Sequence, residues 1–365
     1  MAPAFAAPPW HSHLTLDLLL HVLSVTIFHP FLAALIPLCL RAIATPYNSP
    51  SFILTTAFAI CVSLYRVLDG VNKRIAYGAP REVNWEDEVV VVTGGLGGLG
   101  GCLAEIFALR GVEVGVLDVA VGNEDVEEKE GIRAYRCDIG DYEQLERVWG
   151  RVVEELGAPT ILINNAAVVN GKPFLELGRE DVERTFATNT IAQYHLTRLF
   201  LEPLLKNQRG GTLVTVSSVL AHLGASNLSA YTASKAALIA YHNSLTAELA
   251  DIAPQIKTIL VAPGQLDTQL FKNVKLRGWL RNFFGPVVAA GEVAVRIVEL
   301  IDKGEGGLVC LPAYARYIAW LGVLPVGVQR VLKGWSGIDG AFVLEKRDVG
   351  EAGTSWEKQG KKGEG

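Results

Sequence analysis

The chain has 365 residues and a formal net charge of -5, a balance that argues against a nucleic-acid surface. Its hydrophobic content is 50% and its mean hydropathy +0.28, high for a wholly soluble protein and a sign of membrane contact. The five cysteines (Cys39, Cys61, Cys102, Cys137, Cys310) are odd in number and lack metal-ligand spacing, which speaks against a disulfide framework and leaves no metal expected.

Residues 1–80 read as a hydrophobic membrane anchor. Val22 to Leu40 is a 19-residue run without a formal charge, ending at Arg41. As one helix it would span about 28 Å, close to the ~30 Å hydrocarbon core. Pro30 and Pro37 weaken it less than they would a soluble helix. A second run, Phe52 to Tyr65, is 14 residues long and ends at Arg66. That length suits an interfacial or re-entrant helix. Pro46, Asn48 and Pro50 predict a break between the two. A cleaved signal peptide is disfavoured, because no Lys or Arg precedes Arg41. Arg66, Lys73 and Arg74 follow the second run and point to a cytosolic location for what comes after. The sequon Asn227-Leu-Ser229 is then never read.

Residues 81–312 alternate strand and helix. Glu88–Val92 reads as a strand, Cys102–Arg110 as a helix closed by Gly111, and Val112–Leu117 as a strand ending at Asp118. Arg133–Cys137 is a third strand, ending at Asp138, and Asp141–Leu156 an amphipathic helix. Thr160–Ile163 is a strand running into Asn164-Asn165-Ala166-Ala167, and Glu180–Leu205 one long helix. Strand 212–217, a helix carrying Tyr231, strand Lys257–Val261, helix Gly291–Asp302 and strand Gly307–Leu311 complete the series. This alternation predicts a doubly wound α/β fold of Rossmann type, a parallel sheet covered on both faces. Residues 313–344 form an apolar C-terminal segment with Tyr314, Tyr317 and Trp320, suited to a membrane surface or to a partner subunit, and a homodimer is left open. Residues 345–365 are rich in Lys, Glu and Gly and are expected to be disordered.

Between the first strand and first helix stands Thr93-Gly-Gly-Leu-Gly-Gly-Leu-Gly100. Gly94, Gly98 and Gly100, with Leu99 among them, allow a tight turn and a close approach of backbone to a pyrophosphate, which the helix N-terminus attracts. Asp118, 24 residues beyond Gly94, stands where a carboxylate chelates an adenosine ribose. It would repel a 2′-phosphate, and Gly95–Leu99 holds no Lys or Arg. NAD is therefore expected over NADP.

Tyr231 and Lys235 are spaced i, i+4, so on a helix they leave the same face. An ammonium beside a phenol favours the phenolate and should lower the tyrosine pKa. Ser218 ends the preceding strand, 13 residues before Tyr231, and can converge on the same point.

Taken together these motifs resemble the short-chain dehydrogenase/reductase family over about residues 87–312. Thr93-Gly94-x-x-x-Gly98-x-Gly100 is similar to its cofactor loop, Asp138 to the aspartate at the adenine, and Asn164-Asn165-Ala166-Ala167 to its N-N-A-G motif. Ala167 replaces the usual glycine. Asn189, Ser218, Tyr231 and Lys235 match the catalytic tetrad, and Pro263-Gly264-x-x-x-Thr268 the segment at the nicotinamide. The resemblance implies that Asn165, Ala166, Tyr231, Lys235 and Thr268 also contact the cofactor. It implies that Tyr231 is the acid or base, that Ser218 binds the substrate oxygen, and that Lys235 holds the nicotinamide ribose. Asn189 would then hold a water leading from Lys235 to solvent. The hydrophobic N-terminus and Gly171-Lys-Pro-Phe-Leu resemble the membrane-bound retinol dehydrogenase and 17β-hydroxysteroid dehydrogenase-like branch, which places the chain at the endoplasmic reticulum or a lipid droplet. His222 reads as an ordinary loop histidine. Leu270-Phe271, Trp279-Leu280 and Phe283-Phe284 suit a lipophilic alcohol, ketone or aldehyde. The alternative is a catalytically silent membrane or lipid-droplet scaffold, which the intact Ser218, Tyr231, Lys235 and Asn189 disfavour.

Overall fold

The computed structural model describes residues 14–122, 126–129, 131–271 and 279–341; the expected disorder of 345–365 lies outside them. Three helices lead: α1 (Leu16–Val25), α2 (Pro30–Ala42) and α3 (Pro50–Tyr77). The helix expected over 22–40 is broken. The Thr26 hydroxyl and backbone N–H both donate to the Val22 carbonyl, at 2.6 and 3.0 Å, and close α1. Pro30, which has no N–H to place in a continuing ladder, starts α2 at an angle of 53° to α1.

The second run departs the other way: α3 does not stop near Tyr65 and runs for 28 residues. Past Arg66 the chain turns polar without meeting a strong breaker. Lys73 and Asp69 form an i, i+4 pair at 2.9 Å, and the helix stops at Gly78, whose φ of 71° suits glycine. Among the described residues α3 is the one unbroken helix long and apolar enough to cross a membrane. It packs against α2 through Ala33, Ala59 and Val62. Its C-terminal end is fastened to the following unit: Lys257 Nζ donates to the Tyr77 carbonyl at 3.1 Å. Nearby, the buried Arg81–Glu88 pair sits at 2.7 Å, with Arg81 Nε donating to Thr212.

The strands are β1 (Val89–Thr93), β2 (Glu113–Asp118), β3 (Val126–Lys129), β4 (Ile132–Arg136), β5 (Ile161–Asn164), β6 (Gly211–Val216), β7 (Ile256–Val261) and β8 (Gly307–Val309). They form one sheet in the order β3-β4-β2-β1-β5-β6-β7-β8. All neighbours run parallel except β3, an antiparallel edge strand on β4 that had not been expected. Its sequence, Val-Glu-Glu-Lys, carries no apolar run.

Helices α4 (Gly98–Leu109), α5 (Tyr142–Leu156), α6 (Arg179–Phe186), α7 (Ala192–Lys206), α8 (Ser229–Ile252), α9 (Trp279–Phe284), α10 (Ala290–Asp302), α11 (Val326–Ser336) and α12 (Ile338–Ala341) complete the chain. In β1 every residue is buried, as a strand covered on both faces requires. Val90 and Val92 meet Leu103 and Phe107 of α4 and Ile297 of α10, while Val91 faces Leu145 and Trp149 of α5 and Phe200 of α7. Each such side chain contributes ~1.5–3 kcal/mol on full burial. The two faces together fix the C-terminal ends of β1 and β5, where the strand order reverses. In open α/β sheets that reversal opens a crevice.

Candidate active site

A cleft of about 330 Å³ lies over this crevice. Its nucleotide end is built from backbone. Gly94 and Gly98 have φ of 64° and 55°, a region that favours glycine. A Cβ on Gly100 would stand 2.2 Å from the Gly94 carbonyl oxygen and 2.6 Å from Asn165 Nδ2, so only glycine lets α4 pass this close. Asn165 Nδ2 donates to the carbonyls of Thr93 and Gly94, both at 3.0 Å. The Thr93 hydroxyl accepts from the N–H groups of Asn165 and Ala166 at 2.9 and 3.0 Å. Asp118 Oδ2 accepts from Leu96 N–H at 3.1 Å and Oδ1 from Ala120 N–H at 2.9 Å. Asp118 thus braces the glycine loop while still lining the cleft. Asp138 lines it too, and its Oδ1 accepts from Gly140 N–H at 2.9 Å. This cradle fits a nicotinamide dinucleotide, with the pyrophosphate at the N-terminus of α4.

The chemical end is built from buried side chains. Ser218 follows β6, and Tyr231 and Lys235 project from one face of α8. Tyr231 and Lys235 are only 3% and 1% exposed. The Ser218 and Tyr231 side chains are hydrogen-bonded, and Ser218 Oγ accepts from Leu220 N–H at 3.2 Å. Lys235 Nζ donates to the Val216 carbonyl at 2.8 Å and lies 5.9 Å from the centre of the Tyr231 ring. Burial pushes the Tyr231 phenol above its ordinary value, and the Ser218 hydrogen bond opposes that shift. Burial brings the Lys235 ammonium down to about 7. The expectation that Lys235 holds the phenol low is therefore corrected: desolvation penalises the charged form of either group and is the largest influence on both.

Asn189 is fully buried and does not line the cleft. Its Oδ1 accepts from Val168 N–H at 2.8 Å, and its Nδ2 donates to the Val168 carbonyl at 3.0 Å and to Ser234 Oγ at 3.1 Å. Ser234 Oγ in turn donates to the Tyr231 carbonyl at 2.8 Å. Both amide hydrogens are committed, and the side chain pins the loop after β5 to α8. The helix expected over 180–205 is also interrupted here: Ala187–Ile191 is a π-helical turn between α6 and α7. Such turns recur at functional sites.

Among the expected residues, Gly94, Gly98, Leu99, Asp118, Asp138, Asn165, Ala166, Ser218, Tyr231, Lys235 and Thr268 line one cleft, whereas Gly100 and Asn189 stand behind it. Ala167 lines it as well, and His222 does not. Arg184 and Thr188 line the cleft without having been anticipated. The two are four residues apart and so share a helix face, but neither belongs to a motif that marks that face for the cleft.

A family model described as short chain dehydrogenase matches residues 88–277. Short-chain dehydrogenase/reductase family 16C member 6 from Bos taurus is 33% identical over 84% of this chain and 98% of its own length. Retinol dehydrogenase 10-B from Danio rerio is 32% identical over 57% of this chain and 70% of its own. Among solved structures, a short chain dehydrogenase from Burkholderia cenocepacia J2315 in complex with NADP is 27% identical, with a TM-score of 0.54 over 69% of this chain and 99% of that one. A 4-hydroxyisoleucine dehydrogenase complexed with NADH shares the fold at 20% identity, with a TM-score of 0.54 over 61% of this chain and 96% of that one.

Proposed function

Since the chain belongs to the short-chain dehydrogenase/reductase family, in its retinol dehydrogenase-like branch, and is an NAD(P)-dependent oxidoreductase, we propose that it interconverts a lipophilic alcohol and its ketone or aldehyde at a membrane, with NAD(H) preferred. The observation that carries this reading is the buried cluster of Ser218, Tyr231 and Lys235 opening into the same cleft as the glycine cradle. A bound nicotinamide would accept or supply the hydride. Tyr231 gives its phenolic proton to the carbonyl oxygen in reduction and takes the alcohol proton in oxidation. Ser218 donates a hydrogen bond where negative charge develops on that oxygen. Lys235, with a pKa near neutrality, changes its own charge at little cost and so supports proton movement at Tyr231. Asn189 keeps α8 and the loop at Val168 in register.

The preference for NAD rests on Asp118 and on the absence of a cation in Gly95–Leu99. The lipophilic substrate and the membrane rest on α3, on the exposed apolar residues of residues 313–341, among them Trp320 and Val323, and on the likeness to retinol dehydrogenase 10-B. The basic residues Arg66, Lys73 and Arg74 favour a cytosolic catalytic unit at the endoplasmic reticulum or a lipid droplet.

The test is the full chain in nanodiscs, given NAD and a panel of retinoid, steroid and long-chain alcohols. NADH formation with at least one of them is expected. Binding of NADH without turnover of any of them would overturn the reading in favour of a silent scaffold. Protease added to sealed microsomes should digest the catalytic unit; full protection, or a glycan on Asn227, would reverse the orientation.

A further inference from the structure

Helix α1 carries one formal charge, Asp17, among Leu16, Leu18, Leu19 and Leu20. A carboxylate in so apolar a helix is costly to desolvate unless it is bound. Asp17 Oδ1 accepts from the backbone N–H of Ala313 at 2.6 Å. Its Oδ2 is buried with no hydrogen-bond partner among the described residues. Ala313 opens the turn Ala313–Arg316 that follows β8, so this contact joins residues 296 positions apart.

The turn leads directly to the substrate end of the cleft. The Tyr314 ring and Pro312 are packed on Gly264: a Cβ there would lie 2.7 Å from the Tyr314 hydroxyl oxygen and 2.8 Å from Pro312 Cδ. Pro263 and Gly264 line the cleft, and the Pro263 carbonyl accepts from Val219 N–H at 3.0 Å, one residue after Ser218. Ala315 and Ile318 share an apolar cluster with Tyr231. Burial raises the Tyr314 phenol to about 12, and the Asp17 charge adds to that, consistent with a close approach. Helix α1 also lies against α9, which α11 holds through Arg281 Nε donating to the Trp335 carbonyl at 3.0 Å.

We propose that Asp17 is a positioning residue for the substrate end of the cleft: it fixes the Ala313–Arg316 turn and, through Tyr314, the Pro263-Gly264 wall beside Ser218. The anchor helix is then a component of the site as well as a tether. The proposal rests on the reading above that the cleft takes a lipophilic alcohol. A rigid wall matters most for a long substrate that must lie along it.

The experiment compares wild type, Asp17→Ala and Asp17→Asn, each as the full chain in nanodiscs. It measures KM and kcat for a long-chain and a short-chain primary alcohol, NADH affinity, and hydrogen exchange of peptides covering Ala313–Ile318. Hydrogen bonds to charged groups are stronger than neutral ones. Asp17→Ala should raise the ratio of long-chain to short-chain KM about tenfold, a change equivalent to ~1.4 kcal/mol. It should also speed exchange at Ala313–Ile318, and any loss of NADH affinity through the Pro263-Gly264 segment should be smaller than the change in that ratio. Asp17→Asn keeps an acceptor oxygen and should recover most of both effects. An unchanged KM ratio, or a loss shared equally by both alcohols with unchanged exchange, would overturn the proposal. If wild type turns over no lipophilic alcohol, the functional reading fails, and exchange alone then decides: faster exchange supports the latch and unchanged exchange sinks it. If Asp17→Ala does not fold, Ala313→Pro, which removes the N–H that Asp17 accepts from, takes its place: faster exchange over residues 314–318 would support the proposal and unchanged exchange would overturn it.

Discussion

The two ends of the cleft are made differently. At the nucleotide end the functional groups are backbone amides, and the polar side chains Asn165, Asp118 and Asp138 are bonded to backbone. At the chemical end they are side chains withdrawn from water, with Lys235 1% exposed. The first end works by shape, and one added methyl is enough to damage it. The second works by desolvation, which sets the proton affinities of Tyr231 and Lys235. Damage to the first should therefore appear in cofactor affinity, and damage to the second in rate.

Lys235→Met should give the largest effect that separates the two. It removes the ammonium from the phenol while leaving the glycine loop intact. Acid–base groups typically contribute ~10²–10⁴-fold, and kcat should fall within that range. Its pH profile should change as well. Oxidation requires the phenolate, so its rate rises with pH through the Tyr231 ionisation, while reduction requires the phenol and falls. Lys235 itself titrates at about 7, so Lys235→Met should also remove the inflection near neutrality from the profile. A profile that keeps that inflection would mean that Lys235 takes no part in the proton movement.

Gly100→Ala attacks the other end. The new Cβ would overlap the Gly94 carbonyl, and overpacking of this kind costs about 1–3 kcal/mol. Titration calorimetry should show NADH affinity falling about tenfold, equivalent to ~1.4 kcal/mol, with kcat at saturating NADH much less affected. A variant with normal NADH affinity and depressed kcat would blur the contrast between the ends. The smallest effect expected is that of Asp118→Ser. Loss of the carboxylate should move the ratio of kcat/KM for NADH over NADPH toward NADPH, by up to about tenfold. A wild type that already prefers NADPH would contradict the role given to Asp118.

Much of this was legible because spacing carries it. Gly94 to Gly100 between a β-branched strand and a helix, Asp118 at the next strand end, and Tyr231 four residues before Lys235 are local patterns, and the sheet places them together. What was missed has a common cause. The π turn at Ala187–Ile191, the break at Thr26–His29 and the extension of α3 to Tyr77 depend on how the backbone's hydrogen bonds are completed, and hydrophobic period does not report that. The sign of the Tyr231 shift was misjudged because the spacing places Lys235 nearby but does not reveal that both groups are desolvated. The contact from Asp17 to Ala313 joins two stretches whose sequences bear no mark of each other.

The central claim is that Tyr231 moves the substrate proton. It is tested most directly by Tyr231→Phe, which removes one oxygen and keeps the ring packed against Ala315 and Ile318. NADH affinity and kcat should be measured on the same preparation. The account predicts affinity within about twofold of wild type and kcat reduced at least ~10²-fold in both directions. Near wild-type turnover by a variant that still binds NADH would contradict it.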